Sequence, residues 1–239
     1  MKIVFARDYQ DMSRKAANIV SAQVLLKNDC VLGLATGGTP VGLYRQLIEW
    51  QKKDDISFRD VRSVNLDEYV GLPPEHAQSY RYYMNKTFFD QIDIDKANTF
   101  VPSGLFQDAA AECAAYDRRI EAFGGIDLQL LGIGNNGHIG FNEPAEDFQM
   151  NTHVVDLMES TRRANARFFG GDLEAVPRQA ITMGLLHIMQ AKRVLLVADG
   201  DQKREVLLRA LRGPVTPKLP ASILQLHREL TVVCSCTPF

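Results

Sequence analysis

The sequence has 239 residues, of which 46% are hydrophobic and 23% are charged, a composition typical of a globular protein that excludes an intrinsically disordered chain. Lys and Arg number 27 and Asp and Glu number 29, so the formal net charge of −2 offers no excess positive charge to nucleic acid or to an anionic membrane. No apolar run approaches the ~18 residues that a membrane helix needs, and the N-terminus lacks a signal-peptide pattern. We therefore expect no nucleic-acid partner and no membrane partner.

Four cysteines occur in a chain that has enough apolar residues to fold without disulfides: Cys30, Cys113, Cys234 and Cys236. Cys30 lies in an apolar, strand-like run, where a cysteine usually acts as a small buried hydrophobic residue. Cys234 and Cys236 form a C-x-C pair that no second cluster accompanies, which argues against a metal or redox site. We predict a reduced, cytoplasmic protein.

Short apolar runs alternate along the chain with longer segments of helical periodicity. This alternation predicts an α/β fold, with a single doubly wound, Rossmann-like and mostly parallel sheet that carries helices on both faces. We find no repeat or flexible linker and expect one domain over residues 1–239, with its ligand at the carboxyl ends of the strands. The predicted strands are Lys2–Phe5, Cys30–Leu34, Arg62–Leu66, Leu128–Gly132, Arg193–Ala198 and Leu230–Cys234. The predicted helices are Asp8–Lys27, Val41–Lys52, Gln78–Phe89, Ala109–Phe123 and Asp201–Leu211.

A pair of glycines follows the second predicted strand, in the segment Thr36-Gly37-Gly38-Thr39-Pro40. Paired glycines allow the backbone to approach an anion closely, and Pro40 suits the first turn of the helix that follows. The free N–H groups and the positive dipole end of that helix would then bind a phosphate. The spacing is neither that of a Walker loop nor that of the dinucleotide fingerprint, so a plain tight turn is the alternative.

Two adjacent carboxylates, Asp67 and Glu68, follow the third predicted strand. Successive side chains of an extended segment point in opposite directions, so we expect these two not to act together. Asp67 is a candidate for a base that abstracts a proton from a ligand, and a solvated or capping acid is the alternative.

A glycine-rich loop, Gly132–Gly140, follows the fourth predicted strand. Three of its glycines have the spacing G-x-G-x-x-G, but a fourth glycine and a proline follow where the dinucleotide fingerprint requires a helix. His138 lies in this loop and Glu143 comes five residues later. A carboxylate that orients an imidazole is the usual arrangement for a general acid–base histidine, and a histidine that only stabilises the loop is the alternative. Without metal-ligand spacing, we expect no metal, and we assign structural roles to His76, His153, His187 and His227.

Two basic residues are candidates for binding a phosphate. Arg167 lies in the segment Thr161–Phe169, and Lys203 opens the helix after the predicted strand Arg193–Ala198. Cations on helices are usually solvated, but Lys203 follows a strand end, at the rim where the other loops also lie. One Arg fork and one Lys charge suit a phosphomonoester.

Five segments occur in order: T-G-G-T-P at Thr36–Pro40, L-D-E-Y-V-G-L at Leu66–Leu72, S-Y at Ser79–Tyr80, G-N-N-G-H-I-G-F-N-E-P at Gly134–Pro144 and R-F-F at Arg167–Phe169. Together they resemble the glucosamine-6-phosphate deaminase (isomerase) family, and the resemblance covers nearly the whole chain. It implies the conversion of glucosamine 6-phosphate and water to fructose 6-phosphate and ammonia, without a cofactor.

The resemblance also implies a role for each matching residue. His138 matches the residue that opens the sugar ring by moving a proton between the anomeric hydroxyl and the ring oxygen, and Glu143 matches the carboxylate that orients it. Asp67 matches the base that takes the C2 proton of the opened sugar and returns it at C1. The residues that match the phosphate grip are Thr36, Gly37, Gly38, Thr39, Arg167 and Lys203, and Tyr80 matches a residue near the sugar.

The sequence departs from some members of this family at two places. Asn136 stands where some members have Asp beside the histidine, so we include it in the catalytic set and expect a shifted pH profile of ring opening, which Asn136→Asp would test. The stretch from Ala145 to His153 is acidic where allosteric members have Ser and basic residues. Because acidic residues repel a second phosphate, we expect an enzyme of the shorter, non-allosteric type, with velocity curves that N-acetylglucosamine 6-phosphate does not change.

Three alternatives stay open. The same chemistry could act on galactosamine 6-phosphate, because discrimination of one hydroxyl epimer depends on pocket geometry. The related 6-phosphogluconolactonases share a G-x-G-x-x-G-H loop, but their loop does not continue as Ile139–Pro144 does here. A sugar-phosphate sensor that has lost catalysis would need the phosphate grip but no carbon-acid base.

The sequence is compatible with a monomer or a homo-oligomer, and we expect residues 148–178 to form a lid over the substrate.

Overall fold

The structure is a computed structural model, and it describes residues 1–238. Ten strands follow one another along the chain: β1 (Lys2–Phe5), β2 (Val31–Leu34), β3 (Arg62–Asn65), β4 (Asp67–Tyr69), β5 (Thr99–Phe100), β6 (Leu128–Leu131), β7 (His153–Asp156), β8 (Gln179–Thr182), β9 (Arg193–Ala198) and β10 (Leu230–Cys234). The α-helices are α1 (Tyr9–Leu26), α2 (Val41–Lys52), α3 (Tyr80–Thr87), α4 (Ala109–Ala122), α5 (Glu159–Asn165), α6 (Leu185–Gln190) and α7 (Arg204–Arg212). Short 3-10 helices include Ala166–Phe169, Asp201–Lys203 and Pro220–Leu226.

Seven strands form one parallel sheet in the order β1-β10-β9-β6-β2-β3-β5. All six strands predicted from the sequence belong to this sheet, which confirms the doubly wound α/β fold. The central strands β2 and β6 are buried throughout, as expected for strands covered by helices on both faces. The main hydrophobic core lies around them.

A second sheet of three antiparallel strands, in the order β4-β8-β7, was not predicted. The chain leaves the main sheet at Leu66, whose N–H donates to the Leu34 carbonyl while its own carbonyl accepts from Met183 N–H. β4 begins at the next residue and pairs with β8, so that Asp67 lies opposite Thr182. The second sheet therefore carries Asp67 beyond the carboxyl edge of the main sheet.

The predicted helices are present with small differences at their ends. Helix α2 has the predicted bounds. Helix α3 begins two residues later than predicted because the Ser79 side chain accepts from Tyr82 N–H and caps its start, and it ends at Thr87, before a 3-10 turn at Phe89–Gln91. The predicted helix Asp201–Leu211 begins as a 3-10 turn and becomes α-helical only at Arg204. Within residues 1–238, no helix combines the length and apolarity that crossing a membrane requires.

Candidate active site

A cavity of about 1030 Å³ opens at the carboxyl edge of the main sheet. It brings together segments that lie far apart in the sequence: the loops after β2, β6 and β9, the strand β4, and the helices α3 and α5. Every predicted site residue except Glu143 lines this cavity, namely Thr36, Gly37, Gly38, Thr39, Asp67, Tyr80, Asn136, His138, Arg167 and Lys203.

The glycine pair forms one end of the cavity, between β2 and α2. Gly37 has φ +92°, a left-handed conformation that side chains larger than glycine's rarely adopt. No acceptor within residues 1–238 takes the main-chain N–H groups of Gly38 or Thr39, so both are available to an anion. Helix α2 begins at Val41, and Pro40 immediately precedes it. The geometry fits the predicted phosphate loop.

The carboxyl group of Asp67 lies in an environment that disfavours its charged form. Its residue is only 6% exposed, and no hydrogen-bond donor in the described part of the chain reaches its side chain. Burial, together with the nearby Glu68 charge, raises the pKa of Asp67 to about 8. A carboxyl with such a pKa can both take and return a proton near neutral pH.

Glu68 points away from Asp67 and has a structural role. Its carboxylate accepts hydrogen bonds from the main-chain N–H groups of Tyr69, Tyr80 and Arg81, at 2.8, 2.9 and 3.0 Å. It therefore satisfies the first N–H groups of α3 and fixes that helix against β4. This agrees with the expectation that the two adjacent carboxylates do not act together.

His138, Glu143 and Asn136 form a connected group. His138 Nδ1 lies 3.4 Å from Glu143 Oε2, and the Asn136 amide donates to the same carboxylate oxygen at 2.7 Å. The Asn136 carbonyl oxygen also accepts from His138 N–H at 3.2 Å. Burial raises the pKa of Glu143, but the neighbouring His138, Thr161 and Asn136 side chains outweigh burial and lower it overall, so Glu143 is ionised.

Gly134 allows His138 to occupy its position. A Cβ atom at Gly134 would lie 2.4 to 2.5 Å from three atoms of the His138 ring, far closer than van der Waals contact. The loop is also closed on itself, because Gly134 N–H donates to the His138 carbonyl at 2.9 Å. The imidazole therefore rests directly on the glycine backbone, with Nδ1 towards Glu143 and Nε2 left for a ligand.

Lys203 and Arg167 place two positive charges near the glycine pair. Lys203 Nζ donates to the Ile133 carbonyl at 2.8 Å and to Asn135 Oδ1 at 2.6 Å, which leaves one of its three N–H donors for a ligand. Burial, and then the neighbouring Arg167 charge, lower the pKa of Lys203. Such a pair of cations favours binding of an anion between them.

Aromatic rings line the cavity between Asp67 and the predicted lid. Tyr80 stacks on Phe141 with ring centroids 6.0 Å apart, and Tyr69 lies 4.9 Å from Tyr80. Phe169 meets the edge of Tyr69 at 5.6 Å, and Asn165 donates to the Tyr69 hydroxyl at 3.0 Å. Residues of the predicted lid thus contact the element that carries Asp67.

Several residues at the site were not predicted. Asn135 contacts Lys203, and Thr161 contacts Glu143. Tyr9 and Tyr83 line the cavity beside the glycine pair. A lone tyrosine or threonine on a helix carries no sequence signal of a site, because only the tertiary fold brings it there. Asn135 had a signal, since it lies inside the glycine-rich loop. In residues 1–238, no group of three or more His, Cys, Asp or Glu side chains is arranged to hold a metal ion.

Comparison with known proteins agrees with the resemblance of the motifs. A family model described as glucosamine-6-phosphate isomerases/6-phosphogluconolactonase matches residues 7–233. A glucosamine-6-phosphate deaminase of Lachnoclostridium phytofermentans is 62% identical over 234 residues, which cover 98% of this chain and 99% of that protein. A glucosamine-6-phosphate deaminase of Clostridium perfringens is 51% identical over 233 residues, covering 98% and 96% of the two chains.

Solved structures give the same result for the fold. A monomeric glucosamine-6-phosphate deaminase superposes with a TM-score of 0.95 at 46% identity, covering 98% of this chain and 97% of that one. A 6-phosphogluconolactonase from Thermotoga maritima, at 21% identity, covers 98% of both chains with a TM-score of 0.75 and shares the fold. The chain therefore belongs to the family of glucosamine-6-phosphate isomerases and 6-phosphogluconolactonases, in which the relatives of high identity named above are deaminases.

Proposed function

We propose that this protein converts glucosamine 6-phosphate and water to fructose 6-phosphate and ammonia. One observation carries the proposal: a buried carboxyl without a donor, Asp67, shares a cavity with an imidazole that a carboxylate orients, His138. A base for a carbon acid and an acid–base group for a ring oxygen are what an aldose–ketose rearrangement of a cyclic sugar requires. The glycine pair and two cations supply the anion site at the same cavity.

Ring opening is the first step of the proposed mechanism. His138 Nε2 takes the proton of the anomeric hydroxyl and gives a proton to the ring oxygen, so the C1–O5 bond breaks and an aldehyde forms at C1. The charge of Glu143, 3.4 Å from Nδ1, stabilises the imidazolium that exists between the two transfers. Asn136 fixes the carboxylate by donating to Oε2 and holds the loop through His138 N–H.

Proton transfer between carbons is the second step. Ionised Asp67 takes the C2 proton of the open amino sugar while a proton of the sugar's own ammonium group moves to O1, which gives an enolamine. Asp67 then returns its proton at C1. The result is an iminium at C2, to which water adds. Ammonia then leaves from C2, and the ketone of fructose 6-phosphate remains. Tyr80, stacked on Phe141 next to Asp67, forms a wall for the sugar carbons.

The phosphate end of the substrate fits the opposite side of the cavity. The free N–H groups of Gly38 and Thr39 donate to phosphate oxygens, and Thr36 lies beside them. Arg167 and Lys203 supply positive charge. With the phosphate bound at this end of the cavity, C1 and C2 of the sugar lie between His138 and Asp67.

The proposal includes the setting in which the enzyme acts. The four cysteines are free and buried, as expected in a reducing compartment, and we place the protein in the cytoplasm, in amino sugar catabolism. No step above uses a metal or an organic cofactor.

The proposal is tested by measuring ammonia and fructose 6-phosphate from glucosamine 6-phosphate, for the wild type and for Asp67→Asn. We expect stoichiometric products from the wild type and a loss of ~10²-fold or more in the variant, because the amide cannot accept the C2 proton. Asp147→Asn removes an exposed carboxylate outside the cavity and serves as the matched control.

Other outcomes would contradict the proposal in distinct ways. Turnover of galactosamine 6-phosphate alone would keep the chemistry and change the epimer. Hydrolysis of 6-phosphogluconolactone alone would keep the phosphate site and remove the role of Asp67. Binding of sugar phosphates without any product would indicate a sensor.

A further inference from the structure

Three tyrosine hydroxyls from three different helices donate to main-chain carbonyls of the glycine-pair loop. Tyr44 of α2 donates to the Ala35 carbonyl at 2.6 Å, and Tyr83 of α3 donates to the Gly37 carbonyl at 2.6 Å. Tyr9, the first residue of α1, donates to the Gly38 carbonyl at 3.1 Å. Tyr9 and Tyr83 line the cavity, whereas Tyr44 is fully buried behind the loop.

These bonds fix the direction in which the loop presents its donors. In a trans peptide the carbonyl of one residue and the N–H of the next point in opposite directions. A hydroxyl that holds the Gly37 carbonyl therefore holds the Gly38 N–H on the other side of the peptide, and the hydroxyl on the Gly38 carbonyl does the same for Thr39. Both of these N–H groups are without an acceptor in residues 1–238.

Tyr9 also removes a competing donor. Its hydroxyl accepts from Gly42 N–H at 2.8 Å, in the first turn of α2, and Pro40 has no N–H to offer. The partial positive charge at the start of α2 therefore still attracts an anion, although neither Pro40 nor Gly42 donates a hydrogen bond to it. The N–H groups of Gly38 and Thr39, which Tyr83 and Tyr9 orient, stay available at this end of the cavity.

We propose that Tyr83 and Tyr9 are positioning residues for the phosphate group of the ligand, a phosphate monoester dianion. They hold two carbonyl dipoles away from the anion and two N–H dipoles towards it, without touching the reacting carbons. The inference deepens the function proposed above and rests on it for the identity of the ligand, but the orientation of the loop stands on the hydrogen bonds alone.

The test compares Tyr83→Phe and Tyr9→Phe with the wild type. Each variant keeps the ring and loses one hydroxyl. Tyr82→Phe, on the same helix as Tyr83 but not in the cavity, is the matched control. Binding of inorganic phosphate is measured by calorimetry, and kcat and KM are measured with glucosamine 6-phosphate.

We expect phosphate affinity to fall about 5- to 10-fold in each variant and KM to rise to a similar extent, while kcat stays near the wild-type value and Tyr82→Phe changes neither. A hydroxyl that only supported the fold would lower the unfolding midpoint and leave the phosphate affinity unchanged, which would overturn the proposal. A fall in kcat at constant KM would also overturn it. If the wild type binds phosphate but releases no ammonia, the proposed reaction fails, and the phosphate titrations still decide the role of the tyrosines.

Discussion

Asp67 and Glu68 show how neighbouring carboxylates acquire different properties from their surroundings. Glu68 accepts three main-chain hydrogen bonds, whereas Asp67 accepts none within the described residues. Both are buried, but only Asp67 faces the cavity. Burial, which no donor offsets, and the Glu68 charge raise the pKa of Asp67 to about 8, close to the pH at which a general base must work.

This pKa predicts the pH dependence of the reaction. Because the proposed base must be ionised, we expect kcat/KM to rise as the pH increases through about 8, the pKa of Asp67 in the free enzyme. At lower pH, where Asp67 is protonated, kcat/KM should be lower. Glu68→Gln keeps an acceptor oxygen for α3 but removes the charge that raises the pKa of Asp67. We therefore expect its rising limb to lie at lower pH than that of the wild type, in a rate profile measured from pH 5 to 10.

Comparing the two pH–rate profiles distinguishes titration of the enzyme from titration of the substrate, because the substrate titrates in the same way with both proteins. Identical limbs in the wild type and Glu68→Gln would contradict the assignment of the limb to Asp67. A Glu68→Gln protein with a lower unfolding midpoint but a shifted limb would still support it.

Residue types and their order predicted most of the site, and the reason is local. One loop of eight residues contains His138, Glu143 and Asn136, so these side chains are close in space because they are close in sequence. Asp67, Lys203 and the glycine pair each follow a strand of the parallel sheet, whose carboxyl ends meet at one edge. Tyr9 and Tyr83 could not be predicted, because their hydroxyls reach the loop only after α1 and α3 have packed.

Among the elements, the loop after β6 depends on one close approach between backbone and side chain. His138 lies on Gly134, and the loop returns to bond its own start. Gly134→Ala should displace the imidazole from Glu143, because the added methyl group overlaps the ring. We expect kcat to fall about 10²-fold, since a displacement of about 1 Å is enough for such a loss.

Gly132→Ala is the matched control for this variant, because its Cβ would meet no atom within 4 Å. Both variants stiffen the same loop, but only one of them overlaps His138. The measurement is kcat for ammonia release, together with the unfolding midpoint. Equal kcat values for the two variants would contradict the role given to Gly134.

Six of the seven strands of the main sheet could be predicted from the sequence, whereas its two-residue edge strand β5 and the second sheet could not. The central strands β2 and β6 are short apolar runs that are buried throughout, and such runs are easy to recognise in a sequence. The second sheet pairs Asp67–Tyr69 with Gln179–Thr182, more than a hundred residues away, and its strands have only three or four residues each. Asp67 of β4 lines the cavity, and the adjacent carboxylates Asp67 and Glu68 interrupt the apolar pattern by which a strand is recognised.

At the scale of the whole molecule, residues 148–178 connect the cavity to the second sheet. The segment contains β7 and α5, lines the cavity with Arg167, and contacts Tyr69 through Asn165. The proposal that it is a lid predicts slower amide hydrogen exchange in this segment when fructose 6-phosphate binds, because Arg167 then gains a phosphate partner.

Arg167→Met should abolish this protection. Arg163→Met, which removes an exposed cation paired with Glu159 on the same segment, should leave it intact. The strands β2 and β6 report global changes and should exchange at the same rate with and without ligand. Exchange in residues 148–178 that fructose 6-phosphate does not alter would contradict the lid.

The strand order has a consequence for synthesis of the chain. β1 is made before the other strands of the main sheet, yet it pairs only with β10, the last of them along the chain, which lies between β1 and β9. On the ribosome, α1 can pack against α2 early, but more than two hundred residues must be made after β1 before its partner strand exists. Because this pairing is so distant in sequence, folding should be slow, and apolar surface should stay exposed to chaperones during synthesis. In nascent chains arrested before β10, the segment of β1 should therefore still be accessible to proteases.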